Sequence, residues 1–370
     1  MFLGKIALLN FKNHEALSLA FTKKINCLIG NNGVGKTNLL DAIYYLCLTK
    51  SCFNATDQQK IHFGKDFFRL EGTFVKEGES FDVVYKLPAN KRKELIINDS
   101  VVPKLSEHVG NFPAIIISPD DSQLVLGSSE ERRRFVDNTI SQVNHEYLDQ
   151  LIFYNKVLAQ RNAALKGFAE TRKVDKPLIE SYNNQLVLPG IKIHEARKVA
   201  VAKLIPIFQS FYKQISFERE SVSFTYNSQL NEKPFDELLK DNIDRDIMLQ
   251  RTEVGIHKDD IEFFLFPKSP QGDLNTKLKR FGSQGQQKSF IISIKFAQYT
   301  FIKQSKSFKP LLLIDDIFDK LDNDRSQKLV ELIAGGDFGQ VFLTDTDDAH
   351  IRQVLKGKED LFEVISVDAR

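Results

Sequence analysis

The chain has 370 residues, 42% hydrophobic and 27% charged, a composition that excludes disordered and fibrous classes and leaves enough chain for two or three globular domains. Its 51 Lys and Arg against 49 Asp and Glu give no overall attraction for an acidic partner, so any basic surface has to be local. No stretch approaches the roughly 18 uninterrupted apolar residues of a membrane-spanning helix, and the N-terminus lacks a cleavable-leader pattern, so no membrane role and a cytoplasmic location are expected. The cysteines Cys27, Cys47 and Cys52 lack metal-ligand spacing and read as thiols of a reducing compartment.

Residues 2–11 and 17–21 are predicted as a hairpin around the polar turn Lys12-Asn13-His14-Glu15, with His14 at the surface. The apolar run Ile25 to Ile29 leads into Gly30-Asn31-Asn32-Gly33-Val34-Gly35-Lys36-Thr37, and Asn38 onward reads as a helix. This is G-x-x-x-x-G-K-T in the strand, loop and helix context of a nucleotide-binding phosphate loop. The glycines let backbone N–H groups curl around phosphate oxygens at a helix N-terminus. Lys36 is expected to reach the β and γ phosphates and Thr37 to hold Mg²⁺.

Phe68 to Val75, Ser80 to Leu87 and Glu94 to Ile97 read as an antiparallel meander. The triplet Lys91-Arg92-Lys93 between the last two is either a solvated hairpin tip or a phosphate-contacting loop. Phe112 to Ser118 has the pattern of a buried central strand and ends in Pro119-Asp120-Asp121. From about Ser129 to Phe168, and again from Pro177 to Phe217, the spacing turns helical, with Ser128 or Ser129 as cap and Pro189-Gly190 as a possible kink. No long heptad series is present, so a compact helical arm is expected. Arg132-Arg133-Arg134 opens it, either as a solvated face with one buried ion pair or as a contact to a DNA backbone or partner. A strand at 222–227 and a helix at 241–249 follow. Gly255-Ile256-His257-Lys258-Asp259-Asp260 precedes a strand at 261–266; with no second His or Cys at ligand spacing, His257 reads as part of a loop near the nucleotide or an interface.

Ser283-Gln284-Gly285-Gln286-Gln287 opens the apolar helix 289–302, where Ser283 can cap and Gly285 offers a second anion-binding helix terminus. One nucleotide seldom needs two such termini, so the second is expected to serve the nucleotide of another copy of the chain. Leu311 to Ile314 followed by Asp315-Asp316 is a Walker B strand, a buried parallel strand that delivers carboxylates to the sheet edge. Asp315 would support the Mg²⁺ shell, and Asp316, with Lys36, would carry catalysis by polarising the attacking water.

Phosphate loop, Ser-x-Gly-Gln-Gln, Walker B with its second acid and Phe318-Asp319-Lys320-Leu321-Asp322 together resemble the ABC-type ATPase heads of the SMC group. Within it the chain is most similar to the RecF family, on Gly33 to Leu40, Ser118 to Asp121, Glu131 to Asp137, Gly255 to Asp260 and Ser283 to Gln287. The resemblance implies an α/β ABC-type head formed by residues 1–118 and 250–370, with a compact helical arm or lid inserted at 119–249. It implies ATP and Mg²⁺, with Gly30, Asn31, Asn32, Gly33, Val34, Gly35, Lys36, Thr37 and Asn38 at the nucleotide, and Ser283, Gln284, Gly285, Gln286 and Gln287 acting in trans within an ATP-dependent homodimer. It further implies slow, DNA-stimulated ATP hydrolysis, binding of duplex DNA and single-strand/double-strand junctions, partners of the RecR and RecO type, and help in loading RecA. Arg132, Arg133, Lys91 and Arg92 are candidates for the DNA contact, and Gln123 for the lid with Asp120 and Asp121 as rivals. ABC ATPases often place a His after the last core strand; here Asp345 follows Thr344, which leaves the γ-phosphate sensor unassigned. The other reading is an ATPase head that drives a different, SMC-like or transporter-like partner.

Overall fold

The computed structural model describes residues 1–53, 56–217, 220–267, 276–318 and 322–367; Asp319, Lys320 and Leu321 of the stretch after Walker B lie outside them. Two compact units divide the chain: Met1–Asp121 with Phe211–Glu218 and Gln284–Arg370, and Ser122–Ser210 with Arg219–Ser283. Residues 250–283, expected with the head, belong to the second unit.

The N-terminal strands β1 (Phe2–Phe11), β2 (His14–Ala20) and β3 (Ile25–Ile29) lead into α1 (Lys36–Leu48). Then come β4 (Phe67–Lys76), β5 (Glu79–Pro88), β6 (Glu94–Ile97), β7 (Ser100–Val101) and β8 (Ala114–Ile117). The middle of the chain holds α2 (Ser122–Leu126), α3 (Ser129–Ser141), α4 (His145–Thr171), α5 (Lys176–Ile215), β9 (Glu220–Asn227), α6 (Phe235–Asp241), α7 (Ile243–Leu249), β10 (Asp260–Pro267), β11 (Thr276–Lys277) and α8 (Leu278–Phe281). The chain closes with α9 (Gln284–Gln304), β12 (Leu311–Ile314), α10 (Asn323–Ala334), β13 (Val341–Asp345), α11 (Asp348–Val354) and β14 (Phe362–Ser366).

In the first unit, six antiparallel strands run in the order β2-β1-β4-β5-β6-β7, and five parallel strands in the order β14-β3-β13-β12-β8. Helix α1 touches strands of both sheets, which is why Leu39 to Leu48 is buried all round and largely apolar, Asp41 being its one charged residue. Its Tyr45 meets Phe11, Phe68 and Tyr85 edge to face, with centroids 5.3–6.4 Å apart. β8, expected at the centre of its sheet, stands at the edge. Its four residues are nonetheless buried, because α1 and α9 pack on it and Lys295 of α9 donates to Ile116 O at 2.9 Å. Cys27 and Cys47 are buried and Cys52 half-buried; burial pushes the Cys27 thiol up to about 12. Among the described residues no helix is long and apolar enough to cross a membrane.

The second unit combines α3–α5 with a three-stranded sheet in the order β11-β10-β9. Ser128 caps α3, its hydroxyl accepting from Glu130 N, and α5 continues through Pro189 and Pro206. Two arginines inside this unit are almost wholly buried. Arg161 donates to Asn183, Asp246 and Thr252 at 2.7–2.9 Å. Arg197 holds Asp137 through two nitrogens, at 2.9 and 3.0 Å, and donates to Asp259 at 2.8 Å and Ile256 O at 2.7 Å.

Candidate nucleotide site

The carboxyl ends of β3, β12 and β13 lie side by side because β13 is hydrogen-bonded to both neighbours; in an open parallel sheet this edge is where ligands bind. From β3 the chain turns through Gly30 to Gly35 into α1. Gly33 and Gly35 sit at φ +85° and +106°, a region that favours glycine. A Cβ on Gly35 would lie 2.5 Å from His14 Nε2 and 2.6 Å from Asn13. The hairpin turn is therefore a wall of the loop. His14, predicted at the surface, is only 6% exposed and donates from Nε2 to Gly35 O at 3.0 Å, while Asn13 contacts Gly33 O at 3.4 Å and accepts from Asn38 at 2.7 Å. Lys12 reaches Asp41 of α1 at 2.8 Å.

Lys36 is buried, and its Nζ donates to the loop carbonyls of Gly30 and Asn31 at 2.7 and 3.1 Å. The cation is thereby held over the loop, where phosphate oxygens can replace carbonyls as acceptors. Thr37 Oγ1 lies 3.0 and 2.9 Å from the two oxygens of Asp315. From the third strand, Thr344 Oγ1 donates to Asp315 Oδ1 at 2.8 Å and accepts from Asp316 N at 2.9 Å. Burial raises the Asp315 pKa, against the hydrogen bonds from Thr344 and Thr37. A buried carboxylate beside a threonine hydroxyl is an oxygen donor set that suits a hard divalent ion such as Mg²⁺. Asp316 adopts φ +45°, a left-handed conformation that costs about 1 kcal/mol or more for a non-glycine residue and that the Thr344 bond helps to hold.

Asp345 ends β13 in register with Ile29, at the place where an ABC head often has histidine. Its carboxylate accepts from His350 Nδ1 at 2.8 Å, and the His350 ring meets Phe318 edge-on at 6.0 Å. In the lid candidates the structure draws a contrast. Asp121 accepts from Ser118 N at 2.8 Å and pairs with Lys295 at 2.6 Å, whereas Asp120 and Gln123 are exposed. At the start of α9, a Cβ on Gly285 would come within 2.6 Å of Arg325 Nη1; Ser283 and Gln284 are exposed, and Gln286 and Gln287 half-buried.

Residues 2–369 match the RecF/RecN/SMC N terminal domain family. The chain is 42% identical over 367 residues to the DNA replication and repair protein RecF of Flavobacterium johnsoniae, covering 99% of this chain and 100% of that one. The chain belongs to the RecF family. The RecF of Cytophaga hutchinsonii is 43% identical, with 93% and 89% covered. A solved structure of the recombination mediator protein RecF-ATP in the RecFOR pathway superposes with a TM-score of 0.84 at 25% identity, covering 94% and 92%. The Smc head domain of Pyrococcus furiosus, at 16% identity, 100% and 94% covered and a TM-score of 0.58, shares the ABC-type ATPase fold.

The basic residues singled out in this RecF-family sequence fall into two kinds. Arg132 grips Asp260 with Nε and Nη2 at 2.7 and 3.0 Å, and Arg133 donates to Asp259 O at 2.6 Å; only Arg134 of the triplet is half exposed, at 52%, pairing with Glu130 and Glu131. Lys93 likewise turns inward to Asp57 and Thr49 O. Lys91 and Arg92 are exposed and make no ion pair among the described residues. His257 is no metal ligand here. Its Nε2 donates to Thr252 O and its Nδ1 accepts from Tyr154 Oη, both at 3.0 Å, and burial pulls its pKa down to about 4. Among the described residues no group of three His, Cys, Asp or Glu is placed to hold a metal. Asn13, Thr344 and Arg197 escape sequence reading, since each acts on partners far along the chain.

Proposed function

We propose that this chain is an ATP-driven switch on DNA, acting in the cytoplasm in recombinational repair and replication restart. The observation that carries it is the closure of Thr37, Asp315, Thr344 and Asp316 into one hydrogen-bonded cluster beside Lys36. Lys36 and the loop amides bind the phosphates, and Asp316 orients and deprotonates the attacking water. Thr37 and Asp315 would hold Mg²⁺, which supplies charge neutralisation at the phosphates. With nucleotide bound, two copies pair, the second copy's Ser283, Gly285 and Gln286 completing each site. ATP favours the paired state by differential affinity, and slow, DNA-stimulated hydrolysis releases it. The clamp engages duplex or gapped DNA and helps load RecA together with RecO and RecR; the name of the RecF-ATP structure, which places that protein in the RecFOR pathway, supports this assignment.

Sedimentation with ATP, ADP or no nucleotide tests the reading. Wild type is expected to pair only with ATP. Lys36→Ala stays monomeric and folded. Ser283→Arg still binds ATP as a monomer yet fails to pair. A variant Ser283→Arg that pairs normally would remove the action in trans.

A further inference from the structure

Phe63 is 97% exposed, well beyond the next large apolar side chain among the described residues, Met248 at 72%. It rides a tight turn in which Lys65 N donates to His62 O at 3.0 Å and Gly64 takes φ +79°. The turn is firmly anchored. His62 N donates to Asn10 O at 2.9 Å and Lys12 N to Lys60 O at 2.7 Å, His62 Nδ1 donates to Lys12 O at 2.8 Å, and Ile61 bridges to Phe11. A phenyl ring held out in water by a rigid backbone gives the fold no burial energy.

The same anchoring brings cations beside it. Phe67 pairs with Pro88, Ala89 N donates to Asp66 O at 2.7 Å, and Asn90 N donates to Gln58 Oε1 at 3.1 Å. The tip carrying the exposed Lys91 and Arg92 therefore neighbours the Phe63 turn. Gly64, Lys65 and Asp66 beside the ring are exposed as well, and Phe67, the one other exposed apolar residue of this turn, is 41% exposed; two rings set among polar groups fall short of the broad apolar patch that a protein partner would cover. A projecting aromatic face beside cations that make no ion pair among the described residues matches single-stranded nucleic acid, where bases stack and phosphates need charge.

We infer that Phe63 stacks on an unpaired base of DNA while Lys91 and Arg92 contact the adjoining phosphates. This rests on the DNA-binding reading above and gives it a preference for gapped over continuous duplex. The test uses the full chain with ATP, a plain duplex, the same duplex with a single-stranded gap, and 2-aminopurine at the gap edge. Phe63→Ala is expected to weaken gapped-DNA binding about tenfold, the contribution of one stacked base, and to change duplex binding less than about twofold. It should also abolish the 2-aminopurine response, and Phe63→Trp should restore both. Lys91→Ala with Arg92→Ala weakens both DNAs and lowers the salt slope by about 2. The inference falls if Phe63→Ala binds both DNAs as wild type does. It also falls if that variant loses only ATP-dependent pairing, which would assign the turn to a contact between copies. Wild type that binds neither DNA would overturn the inference and the DNA-binding reading together.

Discussion

Buried charge is treated in opposite ways in the interior of the second unit and at the nucleotide site of the first unit. In the second, Arg161 and Arg197 face Asp246, Asp137 and Asp259, so each guanidinium is neutralised from within. In the first, Lys36 is held by backbone carbonyls and Asp315 by hydroxyls, neutral groups that solvate a charge without cancelling it. A closed ion pair has little left to offer a ligand. A cation and a carboxylate kept on neutral partners leave the site able to take up an anion and a metal ion from solution, which is what nucleotide binding requires.

Arg197→Ala should break this contrast most visibly. It leaves two carboxylates buried without their cation, a loss of about 3–5 kcal/mol in urea unfolding. Lys36→Ala, by comparison, should stay within about 1 kcal/mol of wild type, and a large loss there would show that Lys36 is structural after all. Acid sharpens the comparison next. His257 in the second unit and His108 in the first are both held near 4 by burial, below the unfolded value of about 6.5. The folded state thus resists protonation, and the stability present above about pH 6.5 is lost as pH falls toward 4, on the order of 3 kcal/mol for each histidine. His257→Gln should flatten about half of that decline between urea titrations at pH 7 and pH 4.5; an unchanged slope would locate the acid sensitivity elsewhere. The smallest effect belongs to the arginine triplet. Arg132→Ala should cost about 1–2 kcal/mol because its bidentate pair with Asp260 is mostly shielded, at 12% side-chain exposure for the arginine. Arg134→Ala, removing an exposed pair, should cost less than about 0.5 kcal/mol.

Local spacing makes the phosphate loop, the Walker B strand, the meander and the helical middle legible in the sequence. Each of these depends on residues within a turn or a strand of one another, and hydrophobic period and glycine placement encode them directly. What stayed hidden depends on distance along the chain. Thr37 meets Asp315 across 278 residues, and Thr344 joins them only because β13 falls between β3 and β12. His14 looked like a turn residue because its burial comes from Gly35, 21 positions away. β8 has the apolar pattern of a central strand because helices cover it; periodicity reports burial and is silent about sheet position. Arg132 and Arg133 were open between structure and DNA, and their acceptors lie 128 and 126 residues downstream.

The order of the parallel sheet also governs when the site can exist during synthesis. β3 emerges from the ribosome early, yet its neighbours β13 and β14 begin at Val341 and Phe362, so the first 340 residues cannot complete the sheet. Such sequence-distant pairing is slow to form and leaves apolar strands exposed until β13 and β14 arrive. The nascent chain therefore waits with β3 uncovered on both edges, and removal of residues 341–370 should abolish nucleotide binding in a titration while leaving every residue of the phosphate loop in place.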